Sequence, residues 1–101
     1  MLIYNVTVSI NKTHEAEWVQ WMKQVHIPHV LNTGLFTQHQ FYKVLSHDDE
    51  ATSSFCTMYY VERLNNFERY LNEFAPALRA EVDQKFGGQY AAFRTLLEEV
   101  S

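Results

Sequence analysis

Leu2-Ile3-Tyr4-Asn5-Val6-Thr7-Val8-Ser9-Ile10 alternates along its whole length. Leu2, Tyr4, Val6, Val8 and Ile10 fall on one face of an extended chain. Ile3, Asn5, Thr7 and Ser9 fall on the other. The stretch predicts a strand with one core face and one more polar face, and its core face needs a covering layer. Asn11 and Thr13 then offer capping side chains, and Glu15 and Glu17 suit the positive end of a helix. Trp18, Met22 and Val25 follow at helical spacing, with Trp21 beside them. The spacing predicts a helix over 13–25. Pro28 removes a backbone donor and disfavours helical angles at Ile27, so the helix kinks or restarts there. Thr33-Gly34 ends the segment.

Residues 35–46 and 52–62 are rich in β-formers: Phe36, Phe41, Tyr42 and Val44, then Phe55, Tyr59, Tyr60 and Val61. The polar linker His47-Asp48-Asp49-Glu50-Ala51 predicts a hairpin between them. Asn65 and Asn66 read as caps of a second helix. Phe67, Tyr70, Leu71, Phe74, Leu78, Val82 and Phe86 mark its apolar face. Arg69/Glu73, Arg79/Asp83 and Glu81/Lys85 are placed to pair on its outer side. Pro76 should bend or split this helix, and Gly87-Gly88 should close it. Residues 89–98 read as a last strand. The order strand–helix–strand–strand–helix–strand is the ferredoxin-like α+β arrangement. It predicts one antiparallel four-stranded sheet with both helices on one face. With 101 residues the chain is one domain, 1–101. Folding should bury roughly 65% of its surface, enough for one core without metal or disulfide support.

Large apolar groups stand on both faces of the second and third strands. In 35–45 the two faces read Leu35, Thr37, His39, Phe41, Lys43, Leu45 and Phe36, Gln38, Gln40, Tyr42, Val44. In 54–62 they read Phe55, Thr57, Tyr59, Val61 and Ser54, Cys56, Met58, Tyr60, and a one-residue change of register would swap which of them points inward. One layer of helices covers one face only, and the remainder would leave a large apolar patch. A second copy of the same sheet is the simplest cover, so a homodimer built as an α+β barrel is expected.

Composition narrows the function. The formal net charge is −4, with 8 basic and 12 acidic residues. No basic stripe is present, so a nucleic-acid partner is not expected. No window approaches a membrane span, and the N-terminus lacks the basic region of a signal peptide. The single cysteine, Cys56, cannot form an internal disulfide. A cytoplasmic protein with no membrane partner is the expectation. No phosphate-binding loop, nucleophile elbow or zinc-protease motif occurs.

The candidate chemistry is sparse. His26 and His29 share a helix face if the helix survives Pro28, but two histidines are a weak metal signal, and no metal is expected. His26 at a helix break could hydrogen-bond carbonyls freed by Pro28, or act as a base; His39 is the second candidate base. Asn5 and Thr7 could project polar atoms into a cleft. Trp18 and Trp21 read first as core. Arg94 is a charge inside a strand, which requires either an acidic partner or a place at a cleft mouth holding a carboxylate. Cys56, without basic neighbours, reads as a packed apolar group.

Met1-Leu2-Ile3-Tyr4-Asn5-Val6-Thr7, Trp18-Val19-Gln20-Trp21-Met22, His26-Ile27-Pro28, Phe74-Ala75-Pro76-Ala77-Leu78, Phe86-Gly87-Gly88 and Phe93-Arg94-Thr95-Leu96-Leu97 together resemble a family of short bacterial proteins known as a domain of unknown function. The resemblance spans nearly the whole chain and implies no activity. More distantly, the chain is similar to the dimeric α+β barrel superfamily, which includes antibiotic-biosynthesis-type monooxygenases, haem-degrading enzymes, isomerases and ligand-sensing modules. Haem-degrading members use an Asn on the first strand, a Trp, and an iron-ligating His on the second helix. Asn5 could match the first. The segment Asn66 to Phe86 contains no histidine, so no haem or other cofactor is expected. This likeness is one of fold and transfers no function by itself; the leading expectation is binding of a small apolar or aromatic molecule in a cleft over the sheet, with candidate lining Asn5, Thr7, His26, His39, Tyr59 and Arg94. Cofactor-free oxygenation or isomerisation would be the chemistry. A non-catalytic regulatory module and a purely structural dimer are the alternatives.

Overall fold

β1 (Leu2–Asn11) is the inner strand around which the sheet is assembled. It pairs antiparallel with β3 (Thr52–Val61) on one side and with β4 (Tyr90–Glu98) on the other. β2 (Gln38–Val44) flanks β3, which gives the order β2-β3-β1-β4. The computed structural model describes every residue except His47, so that member of the predicted hairpin linker lies outside the described residues. The strands are those the alternation predicts, with β2 shorter. Leu35 and Phe36 are buried before it begins.

The register settles which face is inner. Tyr4 stands opposite Tyr59 and Leu96, and Val6 opposite Thr57 and Arg94. Tyr4, Val8 and Ile10 are buried, as are Ser53, Phe55, Thr57, Tyr59 and Val61 of β3. The helices cover this face, and their apolar side chains join the same core. Asn5, Thr7, Cys56 and Met58 lie on the opposite face.

The first helical segment is more irregular than its spacing suggests. A 3-10 turn (Lys12–His14) leads into α1 (Glu15–Trp21), a π-helical turn (Met22–His26) and α2 (Ile27–Leu31). Neither Asn11 nor Thr13 caps it; the Asn11 amide Nδ2 donates instead to Gln89 Oε1 at 2.8 Å. Pro28 offers no N–H to the carbonyl of Gln24, and its ring crowds that carbonyl. The chain answers by widening the ladder one turn earlier, where the Ile27 N–H reaches back five residues to the Met22 carbonyl. The segment therefore does not break at Pro28; it passes through the wide turn with His26 as its last residue.

The second helical segment splits, as Pro76 predicts. α3 (Leu64–Glu73) and α4 (Ala75–Phe86) are separated by Phe74, whose backbone leaves the helical region at φ −120° and ψ −38°. Asn65 and Asn66 lie inside α3 rather than capping it, because the helix starts at Leu64. Only one of the three outer pairs forms: Arg69 donates to Glu73. Arg79 and Glu81 both turn to other partners.

Gly87 ends α4 with its N–H on the Asp83 carbonyl at 2.8 Å, and a Cβ there would stand 2.5 Å from that same oxygen. Gly88 follows at φ 81°, where other residues are strained. Gly87→Ala is expected to cost about 1–3 kcal/mol, because backbone must move to admit the methyl. Thermal unfolding followed by circular dichroism would show this. An unchanged midpoint would mean the helix end relaxes freely.

Candidate functional site

Fifteen aromatic residues in a chain of this length have to go somewhere, and most of them build two walls. The first wall contains Tyr4, Phe36, Tyr59, Phe67 and Tyr70, with Phe36 and Tyr70 edge to face at 4.9 Å. The second contains Trp18, Trp21, Phe86 and Tyr90; Trp18 meets Phe86 edge-on at 5.5 Å, and Trp21 stacks on the His26 ring at 5.3 Å. Between these walls, sandwiched by the inner sheet face and the helices, lies a cavity. Tyr4, Tyr59 and Tyr70 reach it from one side and Trp18, His26 and Tyr90 from the other. Its volume is about 40 Å³, room for about three waters.

Every strand except β2 contributes to the lining, and so does every helical segment. β1 supplies Tyr4, Val6 and Val8. β4 supplies Tyr90, Ala92 and Arg94, and α4 supplies Leu78, Arg79 and Val82. Arg94 is the one exposed side chain of the lining, so it stands at the mouth.

Among the described residues, four buried side-chain polar atoms have no hydrogen-bond partner: Asn5 Oδ1, Trp18 Nε1, His26 Nδ1 and the Tyr59 hydroxyl. Three of the four belong to residues that line this cavity. His26 therefore does not satisfy the carbonyls around Pro28 through Nδ1, contrary to the sequence-based expectation. The wide turn instead pairs the Ile27 N–H with the Met22 carbonyl. Burial lowers the His26 pKa from its ordinary value to about 4, against the raising effect of Glu81, so the ring is neutral at pH 7. Burial likewise pushes the phenols of Tyr59 and Tyr70 up, and they stay protonated. Tyr90 is raised to about 12 by burial and by its bond to the Asp83 carboxylate.

The structure brings together three of the six side chains named from the sequence: His26, Tyr59 and Arg94. Asn5 and Thr7 lie on the other sheet face, where Asn5 Nδ2 donates to Thr7 Oγ1 at 3.1 Å. They cannot share a cleft with Tyr59, which stands opposite Tyr4 one residue out of phase with Asn5. His39 projects on the Tyr59 side but from the edge strand β2; it is exposed and does not line the cavity. His29 is bound to Glu81, with Nδ1 to Oε1 at 2.9 Å. Among the described residues, no three His, Cys, Asp or Glu side chains come close enough to hold a metal ion.

Arg79 is the residue that the sequence reading assigned elsewhere. Read as the surface partner of Asp83, it instead donates from Nη2 to the Tyr4 hydroxyl at 3.2 Å. The signal was present: position 79 lies four residues after Ala75 and three before Val82, on the buried side of α4. An arginine placed there has to be accommodated inside.

Comparison with known proteins agrees with this architecture. The family model described as "Domain of unknown function (DUF4286)" matches residues 1–100. The chain belongs to the DUF4286 family. No curated protein sequence matches it. Among solved structures, a protein described as an antibiotic biosynthesis monooxygenase from Deinococcus radiodurans is 17% identical, with a TM-score of 0.70 over 100% of this chain and 94% of its own. A dimeric ferredoxin-like protein from an uncultured marine organism is 13% identical, with a TM-score of 0.68 over 100% and 96%. SnoaB from Streptomyces nogalater, a cofactor-independent oxygenase, is 15% identical, with a TM-score of 0.63 over 99% and 94%. At such identities the likeness establishes the ferredoxin-like α+β fold and nothing about activity. No helix of the described residues is long and apolar enough to cross a membrane.

Proposed function

We propose that this protein binds a small organic molecule in the cavity between sheet and helices, and that His26 serves there as a base in chemistry that needs no cofactor. One observation carries the reading. Trp18 Nε1, His26 Nδ1 and the Tyr59 hydroxyl are buried without partners and belong to one cavity lining. Each such group costs about 1–3 kcal/mol if nothing completes it. Three in one lining mark a place built for a guest with polar atoms, while the aromatic walls suit its apolar body. His26, neutral at pH 7, offers Nδ1 as an acceptor for a proton on the guest. The carbanion left behind would be reprotonated at another carbon in an isomerase, or would pass its electrons to oxygen in an oxygenase. The fold shared with a cofactor-independent oxygenase makes the second outcome reachable on this scaffold.

A binding module without turnover is the second reading, and the low basicity of His26 in the closed cavity favours it. The outer sheet face supports a homodimer. Phe93 is 62%, Tyr42 47% and Leu97 40% exposed, all on that face, and one structural relative is described as dimeric.

Native mass spectrometry of gently purified protein tests binding and assembly together. The expected result is a species near twice 11.9 kDa carrying a reproducible small-molecule mass that is lost in Tyr59→Phe. A bare monomer would refute the dimer, and a carried mass indifferent to Tyr59 would refute this cavity as its seat. Once the molecule is known, His26→Gln should slow its turnover by about 10²–10⁴ while leaving it bound. Turnover unaffected by that change would leave only the binding reading.

A further inference from the structure

The charge inside the cavity does not match the charge of the chain. The protein carries −4 overall, yet among the described residues the lining holds two guanidinium groups, Arg79 and Arg94, and no carboxylate. Neither arginine lies within ion-pair distance of any acid among the described residues. Arg79 has a single hydrogen bond, to the uncharged Tyr4 hydroxyl, which leaves most of its donors open. The two acids that follow Arg79 on α4 already have partners: Glu81 has His29 and Asp83 has Tyr90. Arg94 also sits near enough to the centre of the site to act electrostatically on His26, Tyr70 and Tyr90.

Resting on the cavity reading above, we infer that the guest is an anion: a carboxylic acid with a flat apolar body of about one ring, its carboxylate held at the mouth between Arg79 and Arg94. A guanidinium fork matches a planar carboxylate with two parallel bonds. Arg79 is half-buried and bonded to Tyr4, and Arg94 is exposed at the mouth. The body then lies inward against Trp18 and Tyr59, within reach of His26. The narrow inner volume limits that body to a single ring. Phosphate is the rival anion. It carries a second charge and favours glycine-rich backbone cradles, and no glycine lines this cavity.

Three probes of one shape decide the matter: benzoate, benzamide and phenyl phosphate, titrated into the full-length protein. The Trp18 indole N–H, identified with Trp21→Phe, and the His26 ring protons report occupancy of the cavity by NMR. Benzoate should bind at least about tenfold more tightly than benzamide, the effect of a charged hydrogen bond, and more tightly than phenyl phosphate. Arg94→Gln and Arg79→Gln should each remove about that factor for benzoate and leave benzamide unmoved; Arg94→Lys should fall between. Benzamide binding as well as benzoate would overturn the anion while keeping the cavity reading. Tighter phenyl phosphate would overturn the carboxylate. If no probe moves those signals at tens of millimolar, both the inference and the cavity reading fall.

Discussion

Trp18→Ala is expected to lose about 3–5 kcal/mol, the usual cost of truncating a buried aromatic. Trp18 is 2% exposed. Its ring stands edge-on to Phe86 at 5.5 Å, stacks against Tyr90 at 6.3 Å and leans on Trp21 at 6.4 Å. It thereby joins α1 to α4 and β4, the three elements that hold one wall of the cavity. A domain of this size has about 5–15 kcal/mol in all. The melting midpoint should fall by about 15–30 °C, and part of the population should be unfolded at room temperature. Trp18→Phe is the informative contrast. It keeps an aromatic edge against Phe86 and removes an N–H that has no partner, so its cost should stay below about 2 kcal/mol. Equal losses in the two variants would show that the indole N–H is satisfied in solution, against the reading of an open donor in the cavity.

The fold was legible because its periodicities are clean. Period-two alternation in Leu2–Ile10 and the 3–4 spacing of Phe67 through Phe86 each specify an element, and two glycine stops and two prolines punctuate them. The site was less legible, for a reason of parity. Nothing local to β1 tells whether Tyr59 shares the face of Tyr4 or of Asn5. That depends on a register formed across fifty-odd residues, and a slip of one would exchange the faces. The sequence therefore offered Asn5 and Thr7 as companions of Tyr59 and Arg94, whereas the pairing of Tyr4 with Tyr59 separates them. Arg79 was hidden differently. An acid four residues on gave it a ready surface partner, and only the packing of α4 against β1 shows that Tyr4 takes it instead. The wide turn at Met22–His26 belongs to the same class: Pro28 announced a disturbance, but its form depends on what the helix must keep buried on either side.

That turn makes His26 the residue through which pH should act on stability. Its pKa is about 4 in the folded protein and about 6.5 when unfolded. Above about pH 6.5 the ring is neutral in both states, and the full stability is present. Between about 6.5 and 4 the unfolded chain binds a proton that the folded chain refuses, so stability falls as pH falls. Below about 4 both states are protonated and this contribution is gone. The whole drop amounts to about 3 kcal/mol. Three charged or titratable groups bear on the ring: Glu81, which favours the proton, and His29 and Arg94, which oppose it. Urea unfolding between pH 7 and pH 4 should show the decline, and His26→Gln should flatten it. Because His26 stacks on Trp21 at 5.3 Å, protonation in the folded state should also quench tryptophan fluorescence with a midpoint near its folded pKa. An anion at Arg79 and Arg94 adds a second consequence. A carboxylate held at the mouth offsets the Arg94 charge that opposes the proton on the ring, so benzoate should move that midpoint upward and make His26 a stronger base when the cavity is filled than when it is empty. A midpoint that benzoate leaves in place would show that a charge bound by the two arginines does not act on His26.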